Sequence, residues 1–146
     1  MVVKIYSIAM FYDVIGPPWL LKSGANDNPQ WNGPFVNGHL IDGVVGKKPG
    51  FYTYKLMVSK VKGFSSVETI DHGEGKGVYK YIVNNKPVIV VWDNNGATID
   101  LSKYFDSKNV RITHIITELG ETEPKIETKP ANSISINETP VFVEEK

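Results

Sequence analysis

The spacing of apolar residues changes about one third of the way along the chain, and the two parts predict different elements. Val2 to Tyr12 is a run rich in Val, Ile, Tyr and Phe without strict alternation, which predicts a strand covered on both faces. After Pro49 the apolar residues recur at spacings of three and four as far as Val61, which predicts a helix that ends near Gly63. From Phe64 onward the spacing is two, which is typical of strands.

Residues 65–146 predict an all-β unit in which turns separate short strands. Asn84 and Asn85 lie between two apolar runs and predict a two-residue hairpin turn, because Asn tolerates positive φ. Gly120 to Ala131 is rich in Glu, Lys, Thr and Pro and is interpreted as a solvated loop. The predicted strands lie near residues 67–70, 78–83, 87–92, 97–101, 110–119, 134–136 and 141–143. The predicted fold class is mainly β: an antiparallel β-sandwich of six to seven strands preceded by one strand–loop–helix unit.

The predicted boundary between two domains lies after residue 64. Residues 1–64 are interpreted as an incomplete strand–loop–helix unit, whose loop over residues 23–46 is rich in Gly, Asn, Asp and Pro. One strand and one helix cannot cover each other's apolar surfaces, so we expect another polypeptide, or a second copy of the chain, to cover this region. Residues 65–146 are predicted to form a self-sufficient domain.

Composition and charge disfavour several classes of function. Sixteen basic residues balance sixteen acidic ones, and Arg111 is the single arginine, so no nucleic-acid partner is predicted. Cysteine is absent, which excludes disulfides, thiolate catalysis and zinc–sulfur sites. The three histidines lack ligand-like spacing, and His114 is interpreted as a strand residue satisfied by a neighbour. Asp71 to Gly77 lacks the spacing of a phosphate-binding loop, so no cofactor and no metal are predicted.

The apolar start of the chain bears on location. It covers about a dozen residues, which is too short to cross a membrane, and it lacks a small-residue cleavage site. Neither a membrane partner nor a signal peptide is therefore predicted, and the compartment is left open. The Lys and Glu content without cysteine is compatible with a thermophilic source.

Three stretches of the chain resemble parts of TIM-barrel glycoside hydrolases. Residues 47–64, with the sequence KKPGFYTYKLMVSKVKGF, resemble the last helix of such a barrel. Residues 86–101, in which KPVIVVW is followed by a turn and TIDL, are similar to the β-sandwich that follows the barrel. Residues 137–144, NETPVFVE, look like the closing strand of that sandwich. In this interpretation Lys4 to Asp13 corresponds to the eighth strand of the barrel.

The resemblance implies a chain that does not catalyse hydrolysis by itself. Glycoside hydrolysis uses two carboxyl groups that flank the scissile bond. In the barrel enzymes that this chain resembles, those groups lie at the ends of the fourth and seventh strands, which would precede residue 1. The resemblance therefore implies a non-catalytic C-terminal part of a glycosidase, with no catalytic residue of its own. Its partners would be carbohydrate, bound through the parent enzyme, and a separately encoded barrel fragment.

Four residues are candidates for contact with a sugar. Tyr12 and Asp13 fall at the carboxyl end of the predicted strand, where a barrel has its active site. The alternative is that Asp13 ends the strand by accepting hydrogen bonds from loop amides. Trp19 and Trp31 would stack on sugar rings, or would instead fix the long loop onto the barrel. Trp92 is interpreted as a core residue.

Two other functions are open at this point. A stand-alone carbohydrate-binding module would use exposed strand aromatics, and Tyr79 and Tyr81 share a face because side chains alternate along a strand. A strand-pairing assembly protein would associate through the edge of the first predicted strand.

Overall fold

The computed structural model describes residues 2–13, 41–42, 46–47 and 49–146. The helices are α1 (Val2–Phe11) and α2 (Pro49–Val61), and a short 3-10 helix covers Ser102–Tyr104. The strands are β1 (Ile41–Asp42), β2 (Gly46–Lys47), β3 (Ser66–Gly73), β4 (Lys76–Val83), β5 (Lys86–Asp93), β6 (Ala97–Ile99), β7 (Asn109–His114), β8 (Ile126–Pro130), β9 (Ile134–Ile136) and β10 (Val141–Glu145).

Six strands form one antiparallel sheet in the order β3-β4-β5-β10-β7-β8. β10 lies between β5 and β7, so the last strand completes the middle of this sheet. β6 pairs with β9, and β1 pairs with β2, each in a separate two-stranded antiparallel sheet. The prediction of a mainly β, antiparallel fold is confirmed.

The hairpin between β4 and β5 has the predicted two-residue turn. Val83 pairs with Lys86 and leaves Asn84 and Asn85 in the connection. Their φ angles are 51° and 62°, which is the left-handed region that a type I′ turn requires and that Asn tolerates.

The six-stranded sheet is the middle of three layers, because side chains on its central strands are buried on both faces. α1 and α2 cover one face. The buried residues of this helix-side core are Val3, Leu56, Met57, Val61, Tyr79, Tyr81, Val88, Val90, Trp92 and Phe142. The β6–β9 sheet and the 3-10 helix cover the other face. The core there consists of Val78, Ile89, Val91, Leu101, Phe105, Val110, Ile112, Ala131, Ile134, Ile136, Val141 and Val143.

The predicted strand at Val2 to Tyr12 is wrong, because this segment is the helix α1. A short apolar run does not distinguish a strand from a buried helix by periodicity alone. In the structure Val3 and Ser7 are fully buried, and Met10 packs against the same core, at spacings of four and three that place all three on one helix face. The assignment of Lys4 to Asp13 as a barrel's eighth strand is wrong for the same reason.

Helix α2 is confirmed and is fixed to the sheet region by both apolar and polar contacts. Leu56, Met57 and Val61 lie in the helix-side core. The buried hydroxyl of Thr53 donates a hydrogen bond of 2.8 Å to the carbonyl oxygen of Ile116, just beyond β7. Residues from both sides of the predicted boundary at residue 64 therefore share one apolar core.

The interpretation of Gly120 to Ala131 as a loop is wrong in part, because this segment contains the edge strand β8. Its residues are largely exposed. It pairs with β7 in an antiparallel register in which Thr113 is opposite Ile126 at one end and Asn109 is opposite Pro130 at the other. A polar edge strand with Lys and Pro is a common way to prevent pairing with other chains. Local composition therefore resembled that of a loop.

Candidate functional site

The four predicted sugar-contacting residues are not brought together by the described part of the structure. Tyr12 follows α1, is 61% exposed, and its ring lies 5.0 Å from the ring of Phe11. Asp13 is exposed with a φ of 54°, and its backbone N–H donates to the carbonyl oxygen of Met10. Trp19 and Trp31 lie outside the described residues. Asp13 therefore ends a helix in the left-handed conformation, and contact with a sugar stays a prediction for all four residues.

The strand aromatics form a stacked cluster beneath α1. The rings of Tyr79 and Trp92 are 5.6 Å apart with 19° between their planes, and the ring of Phe11 lies 5.9 Å from Tyr79. Tyr79 and Trp92 are each 3% exposed. The prediction that Trp92 is a core residue is confirmed, and the cluster offers no open ring face for stacking on a sugar.

Lys4 covers the edge of this aromatic cluster. Its Nζ lies 5.6 Å from the centre of the Trp92 ring and donates a hydrogen bond of 2.9 Å to Oδ1 of Asn94. Burial lowers the pKa of Lys4, and the charge of Glu138 partly opposes that change. The cation–π contact and the hydrogen bond together hold α1 against the end of β5.

Tyr81 is the largest fully buried side chain of the helix-side core. Burial raises the pKa of Tyr81 to about 12, because the phenolate would be desolvated, and the nearby Ser7 hydroxyl of α1 partly opposes the rise. The two hydroxyls are buried without meeting full hydrogen-bond geometry. The site is therefore an uncharged junction between α1 and β4 that encloses two hydroxyl groups.

The outer surface of the helical layer is apolar and basic. Ile8, Tyr12 and Val58 are 41%, 61% and 39% exposed. Every charged residue within α1 and α2 is a lysine, and neither helix contains Asp or Glu. Lys55 and Val58 are exposed side by side on one face of α2, at a spacing of three. We call the exposed set Ile8, Tyr12, Lys55 and Val58 the outer helical surface.

A second candidate is a cleft of about 450 Å³ at the end of the sheet beside the last turn of α2. We call it the basic cleft, because four cationic side chains line it: Lys60, Lys86, Arg111 and Lys146. Lys60 donates to Oε1 of Glu144, and Nη1 of Arg111 lies 3.6 Å from the same oxygen. These residues are far apart in the sequence, and only strand pairing brings them together, which is why the sequence reasoning missed them.

His114 lies beside a different cleft and has a partner on the neighbouring edge strand. Its Nε2 lies 3.0 Å from Oε1 of Glu127, and Nζ of Lys129 lies 3.5 Å from Oε2. The hydrogen bond with His114 lowers the pKa of Glu127, and the charge of Lys129 adds to this effect. The prediction that a neighbour satisfies His114 is confirmed.

Residues 2–13, 41–42, 46–47 and 49–146 lack two further kinds of feature. They contain no cluster of three or more His, Asp or Glu side chains that could hold a metal ion. Neither α1 nor α2 has the length and hydrophobicity needed to cross a membrane, and they are the α-helices of the described chain.

Comparison of the chain with known proteins identifies no relative. No protein-family model matches the chain, and no match was found among curated proteins or solved structures.

Proposed function

We propose that this chain is a non-catalytic C-terminal part of a glycoside hydrolase, and that it supports the catalytic barrel by packing against it. The observation that carries the proposal is the outer helical surface: two adjacent helices cover the sheet, yet present Ile8, Tyr12 and Val58 to solvent. A helix as apolar all round as α1 is expected to be covered on more than one side. A partner polypeptide would supply that cover.

The resemblance of residues 47–64, 86–101 and 137–144 to the end of a glycosidase supports the identity of that partner. Within these stretches the chain forms helix α2, strands β5 and β6, and strand β10. The β6–β9 sheet facing the six-stranded sheet supports a sandwich-like arrangement of the C-terminal part. Because α1 is a helix, the proposal concerns packing against a barrel and not the supply of its eighth strand.

A stand-alone carbohydrate-binding module is the weaker alternative. Such a module needs aromatic rings that a sugar can reach. Tyr79, Tyr81 and Trp92, the strand aromatics that would form the platform, are buried under the helices. The strand-pairing alternative loses its basis as well, because its proposed first strand is α1.

Co-expression with the polypeptide encoded directly upstream of Met1 tests the proposal. We expect the two chains to co-purify and to hydrolyse aryl glycosides, with the catalytic carboxylates on the partner. Val58→Lys should weaken their association, because it places a charge in the apolar contact, whereas Leu119→Lys, at a loop residue that is 67% exposed, should not.

Three results would argue against this function. They are a failure of the chains to associate, a complex without glycosidase activity, and equal effects of Val58→Lys and Leu119→Lys. Urea denaturation of each variant shows that a loss of association does not arise from unfolding.

A further inference from the structure

The basic cleft has a geometry that strand pairing dictates. Glu144 on β10 is directly opposite Arg111 on β7 and Val88 on β5, so these three residues form one row across the sheet. Directly opposed residues point to the same face, which here is the face that α2 covers. Lys60 in the last turn of α2 reaches down to the end of this row. The cleft is therefore built on β5, β10 and β7, the end of β4 with its turn, and the last turn of α2.

Positive charge exceeds negative charge in the cleft. Four cationic side chains line it, against two side-chain carboxylates, those of Glu144 and Glu145. Glu145 is already occupied, because its Oε1 accepts the backbone N–H groups of Asp106 and Ser107 at 2.8 and 3.3 Å. Glu144 is therefore the one of these two carboxylates that contacts cations of the cleft, Lys60 and Arg111.

The two cations that lie nearest Glu144 compete for one oxygen. Lys60 donates directly to Oε1, and Nη1 of Arg111 lies 3.6 Å away, which is beyond a good hydrogen bond. Lys86 and Lys146 have no carboxylate partner among residues 2–13, 46–47 and 49–146. The side chain of Arg111 is 44% exposed, and Glu144 is its ion-pair partner among the described residues, so its guanidinium keeps donors for a ligand.

The rest of the lining adds apolar surface and an amide to the charged groups. Pro87 and Val88 supply apolar surface beside the charges, and Asn84 supplies an amide from the hairpin turn. A cleft of about 450 Å³ with an apolar floor and a few convergent polar groups has the size of a site for a small molecule. Guanidinium donors in a fixed fork match the paired oxygens of a carboxylate or a phosphate.

We infer that the basic cleft binds a small oxyanion, a carboxylate or phosphate carried on a ring of about monosaccharide size, through Arg111 and Lys86. This inference is independent of the proposed function, since the outer helical surface shares no residue with the cleft. Glu144 acts as an internal competitor for the ligand, because it holds Lys60 and attracts Arg111.

The test is a titration of the intact chain followed by amide chemical shifts at constant ionic strength. The probes are glucuronate, glucose 6-phosphate, inorganic phosphate and, as the neutral counterpart, glucose. We expect the three anions to shift amides around Asn84, Arg111 and Glu144, with the ring-bearing anions binding more tightly than inorganic phosphate. The relative strength of glucuronate and glucose 6-phosphate identifies the preferred oxyanion.

Substitutions inside and outside the cleft show whether the anion binds there. Arg111→Gln should weaken binding of the preferred anion about tenfold, because it removes a charge-assisted fork. Lys108→Gln, at an exposed lysine outside the cleft, should leave binding unchanged. Glu144→Gln should tighten binding, because it removes the competing carboxylate.

Four outcomes would overturn the inference. They are an absence of shifts at the cleft with every anion, equal binding of glucose, equal losses in Arg111→Gln and Lys108→Gln, and weaker binding in Glu144→Gln. An unchanged amide spectrum away from the substituted position shows that each variant is folded.

Discussion

Gly77→Ala tests the packing that holds α1 on the sheet. Gly77 on β4 is paired directly with Trp92 on β5, and the Trp92 ring lies across the glycine. A Cβ at this position would lie 2.5 Å from two atoms of the Trp92 ring and 2.8 Å from the Tyr79 ring. Carbon atoms in good contact are about 3.5–4.0 Å apart, so one of the stacked rings must move.

The expected cost combines three effects. Overpacking a core costs about 1–3 kcal/mol, and opening an aromatic stack costs roughly 0.5–1.5 kcal/mol more. Replacing glycine in a strand returns about 0.5–1 kcal/mol of backbone entropy. We therefore expect Gly77→Ala to lower the free energy of unfolding by about 2 kcal/mol, which corresponds to a fall in Tm of about 4–8 °C for a chain of this length.

Gly73→Ala is the matched control, because Gly73 lies in the same hairpin and its added Cβ would meet only the flexible side chain of Lys76, at 3.3 Å. We expect it to leave the free energy of unfolding unchanged or to raise it by up to about 1 kcal/mol, because the same gain in backbone entropy is opposed only by a side chain that can move. Both variants are measured by urea denaturation with a shared m-value.

Substitution of Trp92 identifies the ring as the cause of the loss. Trp92→Phe removes the ring atoms that clash, so Gly77→Ala should cost at least about 1 kcal/mol less in that background. Equal stabilities of Gly77→Ala and Gly73→Ala, or additive effects in the Trp92→Phe cycle, would refute the reasoning.

Two further predictions concern the same sheet. Because burial raises the pKa of Tyr81 to about 12, from 10.0, the buried phenol stabilises the fold fully below pH 10, and this contribution is lost as the pH rises from about 10 to about 12. Tyr81→Phe should therefore show a flatter fall in stability over that range, and parallel pH profiles would contradict this. Asn85 has a φ of 62°, a conformation that glycine adopts without strain and that a β-branched residue does not. In urea denaturation, Asn85→Gly should therefore stabilise the protein by a few tenths to about 1 kcal/mol, and Asn85→Val should destabilise it by about 1–2 kcal/mol. A loss of stability in both variants would mean that the Asn85 side chain, and not its backbone conformation, determines the turn.

The outer helical surface and the basic cleft differ in how they relate to the sequence. Tyr12 is an exposed apolar residue that the sequence reasoning named as a candidate, although on a predicted strand. Nothing in the sequence linked Lys60, Arg111 and Glu144, because β10 joins β7 only in the assembled sheet. Sites built by strand pairing carry no local pattern, and Tyr12 was named for its place at the end of a predicted strand, whereas its exposure is known only from the structure.

The sequence by itself determined the elements whose signals are local. Helix α2 follows from Pro49 and the three- and four-residue spacing that ends at Val61, and the β4–β5 turn follows from two Asn residues that tolerate positive φ. Only the tertiary structure decided α1 and β8. The apolar run of α1 suits a strand or a helix equally, and its packing on Tyr79 and Tyr81 selects the helix. β8 is polar, and its pairing with β7 supplies the hydrogen bonds that make it a strand.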